Sequence, residues 1–232
     1  MTENNAKNWD KTPPEDSYSD LRKSMVEVQI RRRGVADERV LRAMATVPRH
    51  EFVPAQSKDE AYSDEPLPIG GGQTISQPYI VAAMTAALHL TGTERVLDIG
   101  TGSGYQAAVL SLLSREVFGV ECRSDLARSA AELLQRLGFE NAHVHCGDGS
   151  LGLKEFAPYD AILVAAAAPS FPQPLLEQLG DGGRIIAPIG MEDHQQLMLV
   201  TRRGGSYFME HREPCRFVPL LGQHGWKNWT IL

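Results

Sequence analysis

Apolar positions change period several times along this chain, and the changes divide it. Residues 1 to about 20 mix Asn, Lys, Pro, Asp and Ser without periodicity and predict a flexible N-terminal arm. From Leu21 the spacing becomes helical through Met25, Val28 and Ile30. After Gly34 a second helical segment runs through Val40, Leu41, Met44 and Val47, and Pro48 stops it. Phe52 to Gly72 is turn-rich, and a clean helix follows from Tyr79 to Leu90. Strands and helices then alternate. Val96–Ile99 reads as a buried strand, Tyr105–Leu113 as a helix, and the next strand ends on Glu121. Leu126–Leu137 is an amphipathic helix closed by Gly138, and Ala142–Cys146 a strand running into Gly147-Asp148-Gly149. Ala161–Ala165 is a buried strand, Pro172–Leu179 a helix stopped by Gly180, and Arg184–Pro188 a further strand. Leu197–Thr201, Ser206–Glu210 and Arg216–Leu221 read as antiparallel strands. Such alternation predicts an α/β fold with a mostly parallel, doubly wound sheet.

The unit from Arg95 to Glu121 carries the chemistry. Gly100, Gly102 and Gly104 remove the Cβ atoms that would block a ligand and permit positive φ where strand becomes helix. Glu121, about 20 residues on, is placed to bond ribose hydroxyls. This is a nucleotide-type cofactor site, and charge selects the cofactor. Asp98 stands directly before the loop, where a pyrophosphate would be repelled. S-adenosyl-L-methionine (AdoMet) has no phosphate and carries an ammonium and a sulfonium, which an acid favours. Two roles for Asp98 stay open: contact with the cofactor, directly or through water, and ordering of the loop by accepting backbone N–H bonds. A nicotinamide-dependent oxidoreductase is the rival, disfavoured by Asp98 and by the late position of the loop. Asp148 follows the third strand of the unit, so Asp98, Glu121 and Asp148 converge on the rim where such sheets bind ligands. Asp148 would sit near the adenine and accept from its exocyclic amine.

Composition narrows the partners. The chain has 232 residues, 42% hydrophobic and 22% charged, enough for a full core in a soluble globular domain. A formal net charge of −6 argues against a nucleic-acid partner. Arg31-Arg32-Arg33 is a dense basic cluster at the end of a helical stretch and reads as structural. Cys122, Cys146 and Cys215, without a C-x-x-C pair, suggest free thiols in a reducing compartment. With no apolar leader and no apolar run long enough to span a membrane, a cytoplasmic location is expected.

Gly70-Gly71-Gly72 and Gln73-Thr74-Ile75-Ser76 form a flexible loop meeting a helix start. Ser76 reads equally as the helix N-cap, with Pro78 in the first turn, or as a hydroxyl turned toward an anionic substrate. His143 and His145 share a strand face without a third ligand at metal spacing, so no metal site is expected. No G-x-S-x-G, H-E-x-x-H or Walker loop occurs.

Several segments together resemble the bacterial protein-L-isoaspartate O-methyltransferases. They are V-P-R-H-E-F-V (47 to 53), P-L-P-I-G-G-G-Q-T-I-S-Q-P-Y (66 to 79), V-L-D-I-G-T-G-S-G-Y (96 to 105), G-D-G (147 to 149), A-P-Y-D-A-I (157 to 162), L-L-E-Q-L-G-D-G-G-R (175 to 184) and R-F-V-P-L-L-G (216 to 222). The glycine loop is shared by most AdoMet methyltransferases; Q-T-I-S-Q-P is far more specific. The resemblance covers Leu21 to Trp226 and implies a Rossmann-like AdoMet-dependent methyltransferase fold with an antiparallel C-terminal strand. It implies one domain over 21–232, with a helical and loop substrate region over 21–93 and an AdoMet-binding core over 94–232. It also implies methyl transfer to the free carboxyl of L-isoaspartyl residues in damaged peptides and proteins, starting repair through a succinimide. A monomer is expected. The active-site serine falls on Ser76, with Thr74, Ile75 and Gln77 in the substrate and cofactor loop. Asp98, Gly100, Glu121, Asp148 and Gly149 fall in the AdoMet pocket. Ala165 and Cys122 depart from the usual pattern. An AdoMet-binding protein without catalysis is the non-enzyme alternative, against which the intact Q-T-I-S-Q-P argues.

Overall fold

The computed structural model describes residues 16–191 and 193–227, so most of the expected arm lies outside the described residues. Of its last residues, Asp16 pairs with Arg22 at 3.2 Å and Tyr18 stacks on His50, and a helix, α1 (Ser19–Ser24), has already begun. It continues as a π-helical turn (Met25–Ile30) and a 3₁₀ turn (Arg31–Arg33), ending on Gly34 at φ 100°. The wider π turn rotates the buried face. Met25, Val26 and Ile30 are buried as a result, whereas Leu21 and Val28, expected on the same stripe, are each 48% exposed. In the basic cluster Arg31 pairs with Glu27 and Glu38, and Arg33 with Asp64.

Helix α2 (Glu38–Thr46) starts on Asp37, whose carboxylate accepts from the Arg39 N–H at 2.9 Å. Two 3₁₀ turns, Arg49–Phe52 and Ala55–Glu60, lead to an antiparallel hairpin of β1 (Leu67–Gly70) and β2 (Gln73–Ile75). The stretch expected as a loop is therefore a hairpin, turned by Gly71 and Gly72 at φ 59° and 73°. Next come α3 (Pro78–Ala87), β3 (Arg95–Ile99), α4 (Tyr105–Ser111), β4 (Glu116–Glu121), α5 (Ser124–Arg136) and β5 (Ala142–Cys146). The chain ends with β6 (Tyr159–Val164), α6 (Gln173–Gln178), β7 (Leu179–Met191), β8 (His194–Arg203) and β9 (Ser206–Cys215).

The seven-stranded sheet has the order β5-β4-β3-β6-β7-β8-β9. The first five are parallel; β8 runs against β7, and β9 against β8. Arg216–Leu221, expected as a strand, forms none. Its alternation serves instead to hook it over the sheet end: the Ala167 N–H donates to Val218 O and the Leu220 N–H to Ala167 O, both at 2.8 Å. Alternate strand residues feed two cores. Val96, Leu163 and Ile186 pack with the N-terminal helices, α3 and α4 on one face; Leu97, Ile99, Ile162 and Ile185 pack with Leu175 of α6 on the other. The N-terminal region thus shares a core with the sheet. From β3 the chain winds outward to β5 and then returns to the other side of β3, so the crevice of this sheet opens between the carboxyl ends of β3 and β6.

Candidate active site

The glycine loop leaves β3 in that crevice. Gly100, Gly102 and Gly104 take φ of 81°, 55° and 92°, conformations that L side chains resist. Glu121, at the tip of β4 and 5% exposed, orders the loop: its carboxylate accepts from the Gly102 N–H at 2.9 Å and from the Arg123 N–H at 3.0 Å. Asp98 does not have that role. Its carboxylate is wholly buried, and neither oxygen has a hydrogen-bond partner; Thr101 donates to its backbone oxygen instead, at 3.2 Å. Burial pushes the Asp98 carboxyl up to about 7, with the nearby Glu121 charge adding and the Thr101 hydroxyl opposing.

Two small lobes meet over this loop, with cavity volumes of about 50 and 40 Å³. Both are lined by Thr74, Gly100, Gly102 and Ala165. One extends to Glu121, Cys122, Gly149 and Leu220; the other to Ile75, Ser76, Met84, Tyr105 and Phe217. The hairpin roofs them. Ile69 packs so that a Cβ on Gly102 would lie 3.1 Å from its Cδ1, and Gly71 lies against the Arg123 side chain. A larger cavity of about 580 Å³, between Val26, α2 and Leu113, has neither the glycines nor the acids of the crevice. Convergence of chemistry, not size, marks the site.

Ser76 is half-buried, directly after β2. Gln77, not Ser76, occupies the N-cap position of α3, and Pro78 opens the helix. The capping carboxylate comes from Asp64, which accepts from the Tyr79 N–H at 3.0 Å and from Gln77 Nε2 at 3.2 Å while pairing with Arg33. Among the described residues the Ser76 hydroxyl has no intramolecular hydrogen bond. The same contacts commit the amide nitrogen of Gln77, expected at the substrate, to Asp64. Sequence reading missed Asp64 because thirteen residues separate it from the segment it anchors.

Asp148 lies at the head of the loop after β5 but is heavily engaged. Its Oδ1 accepts from Ser150 N at 2.9 Å and Ser150 Oγ at 2.7 Å, and its Oδ2 from Gln223 N at 2.8 Å. Burial opposes ionisation, yet the bonds from Ser150 and Gln223 outweigh it and hold this carboxyl below its ordinary value. Gly149 permits close approach: a Cβ there would lie 2.7 Å from Ile99 Cγ2. His143 and His145 pack against Phe118, with ring centroids 5.6 and 6.4 Å away.

The residues present fit a cationic nucleoside ligand. The glycines leave room for a nucleoside, Glu121 is an acid lining one lobe, and behind the loop the Asp98 carboxylate is buried without a hydrogen-bond partner, though it lines neither lobe. Comparison with known proteins agrees. The family model described as protein-L-isoaspartate(D-aspartate) O-methyltransferase (PCMT) matches residues 20–225. Proteins named protein-L-isoaspartate O-methyltransferase are similar: one from Roseiflexus castenholzii is 53% identical over 90% of this chain and 95% of its own length. A second, numbered 2, from Marinobacter nauticus is 55% identical over 90% of this chain and 96% of its own. A solved structure of a protein-L-isoaspartate O-methyltransferase matches with a TM-score of 0.81 and 31% identity, covering 88% of this chain and 67% of that one. A putative Plasmodium falciparum counterpart, in complex with S-adenosyl-L-homocysteine, matches with a TM-score of 0.74 and 28% identity, over 86% of this chain and 98% of that one.

Proposed function

The chain belongs to the protein-L-isoaspartate(D-aspartate) O-methyltransferase family, and from that premise we propose how its residues divide the work. The enzyme transfers the methyl group of AdoMet to the free carboxyl of L-isoaspartyl residues in damaged peptides and proteins. Asp98, Gly100, Gly102, Gly104, Glu121, Asp148 and Gly149 hold the cofactor, and Thr74, Ile75, Ser76 and Gln77 form the loop between cofactor and substrate. AdoMet, when bound, supplies an electrophilic methyl group on a sulfonium. The accepting carboxylate is already ionised at neutral pH, so no general base is needed. The protein's task is to strip water from that carboxylate, aim it and hold it there, a matter of proximity and orientation. Ser76 donates its hydroxyl to the carboxylate and orients it without attacking anything. The observation that carries this role is that Asp64 caps α3, leaving the Ser76 hydroxyl unbonded beside the cleft. The hairpin above the glycine loop excludes water. Labelled methyl transfer to matched isoaspartyl and aspartyl peptides tests the assignment: label should enter the isoaspartyl peptide alone, and equal labelling of both would overturn it.

We further infer a cytoplasmic monomer with no nucleic-acid partner. The net charge of −6 supports the absence of a nucleic-acid partner and the three unpaired cysteines a reducing compartment; no helix among the described residues is long and apolar enough to cross a membrane.

Asp98 gives binding a pH signature. Its pKa near 7 lies above that of an unfolded-chain aspartate, so the ligand-free fold holds a proton that the unfolded chain has lost. Stability of the ligand-free protein should therefore fall as pH rises from about 4 to 7, at up to about 1.4 kcal/mol per pH unit. Cationic AdoMet favours the ionised acid, so binding near pH 7 should release a fraction of a proton. Calorimetry in buffers of different ionisation enthalpy reads this release, and Asp98→Asn should abolish it. Heats independent of buffer in the wild type would remove Asp98 from the cofactor's charge balance.

A further inference from the structure

Arg49 is a buried charge that the mechanism above does not use. It opens the 3₁₀ turn Arg49–Phe52 and has no solvent exposure. Its Nε donates to Ala61 O at 2.6 Å, but Nη1 and Nη2 have no hydrogen-bond partner. The guanidinium carbon lies 4.8 Å from the centroid of the Tyr105 ring, and Phe52 packs edge-on to the same ring at 5.5 Å. Asp64 is the carboxylate whose charge acts on Arg49, and it is already engaged by Arg33, Gln77 and the Tyr79 N–H. An unpaired buried guanidinium is costly, and an aliphatic side chain would fill the same space without that cost. Among the described residues only the Tyr105 ring and the tyrosine and Asp64 charges offset it, so an anion nearby would gain from it. Tyr105 supplies the direction: it is a wall of the Ser76 lobe. An anion entering that lobe meets Tyr105, the residue against which the Arg49 guanidinium packs, in a low-dielectric interior where screening is weak.

We propose that Arg49 is a positioning residue for the substrate carboxylate: its buried charge, held beside Tyr105, draws the isoaspartyl α-carboxylate into the Ser76 lobe. The inference rests on the isoaspartyl reading given above. AdoMet also carries a carboxylate, but its adjacent ammonium cancels most of that charge's attraction to a distant cation. Because the accepting carboxylate loses its charge as the ester forms, Arg49 stabilises the bound substrate more than the transition state. Its removal should raise KM and leave kcat unchanged or somewhat higher.

Binding of an isoaspartyl peptide and of its neutral α-carboxamide analogue, each to the protein saturated with S-adenosyl-L-homocysteine, tests this without turnover. The wild type should prefer the carboxylate at least tenfold. Arg49→Met, which keeps the bulk, should reduce the preference to about twofold and raise KM about tenfold. AdoMet affinity should stay within twofold, and Arg49→Lys should recover part of the preference. An Arg49→Met protein that keeps the wild-type preference, or loses AdoMet and peptide binding equally, overturns the proposal. Should that variant fail to fold, the wild type still decides. A buried cation keeps its preference from low to 0.5 M salt, whereas exposed cations are screened at a Debye length of roughly 4 to 5 Å; a preference that vanishes in salt overturns the proposal. A wild type that neither discriminates nor methylates would instead count against the isoaspartyl reading itself.

Discussion

Replacing Ser76 by Ala should lower kcat/KM for an isoaspartyl peptide by tenfold or more while leaving the fold nearly as stable as before. Each factor of ten corresponds to about 1.4 kcal/mol of transition-state stabilisation. Loss of a helix N-cap costs about 1 kcal/mol, but here Gln77 holds the N-cap position and Asp64 binds the free N–H of Tyr79, so that cost should not appear. AdoMet affinity should move far less than turnover, because Glu121 lines the other lobe. Ser76→Gly separates the roles further. Glycine is nearly neutral at a cap, yet it lacks the hydroxyl and should be as inactive as alanine. Wild-type turnover by the glycine variant, measured per folded molecule, would remove Ser76 from the reaction.

Gly102→Val should abolish AdoMet binding, measured by calorimetry as at least a hundredfold loss of affinity. Two effects act together. The residue sits at φ 55°, where a branched side chain is strained, by about 1–3 kcal/mol for an outlier of this kind. Its Cβ would meet Ile69 of the hairpin at 3.1 Å, and the further methyl groups would enter the space the two lobes share. Moving the loop to relieve this breaks the Gly102 N–H bond to Glu121 and frees the acid expected at the ribose. The sheet should survive, since the loop lies at its rim; thermal denaturation would show a lower but still cooperative midpoint. Ordinary AdoMet binding by the variant would mean that the pocket lies elsewhere.

The parallel core was legible because strands buried on both faces read as apolar runs, as in Val96–Ile99 and Ala161–Ala165, with acids and glycines where they emerge. What the sequence concealed depends on contacts between distant residues or on departures from regular periods. The π turn at Met25–Ile30 broke the 3.6-residue spacing, so Val28 was placed on the wrong face. The hairpin β1–β2 is too short and too rich in Gly and Pro to signal strands. In the site, Asp98, Glu121 and Ser76 were recognisable by position. That Glu121 orders the loop, and that Asp98 therefore stays unpaired, depends on which carboxylate reaches Gly102, which strand order alone does not say. Arg216–Leu221 alternates as a strand does, yet its partners are the backbone groups of Ala167 rather than a sheet edge.

The hydrogen bonds around Asp148 also bear on how this protein ages. The chain contains two Asp-Gly steps, Asp148-Gly149 and Asp181-Gly182, and such steps are prone to the very lesion the family repairs, since glycine hinders attack of its nitrogen on the preceding carboxyl least. That attack requires the side chain to fold back toward the glycine N–H. The Asp148 carboxylate is instead held forward, on Ser150 and Gln223, and Gly149 is wedged against Ile99. Asp181 is exposed, with a single bond from Gly204 N at 2.7 Å to restrain it. Cyclisation at Asp148 needs the segment around Gln223 to lift away first, whereas Asp181 needs only one bond to open. In stored protein, peptide mapping would find isoaspartate at 181 before 148, so that damage gathers on the surface while the cofactor pocket keeps its native backbone; the reverse order would show the Asp148 network to be no protection.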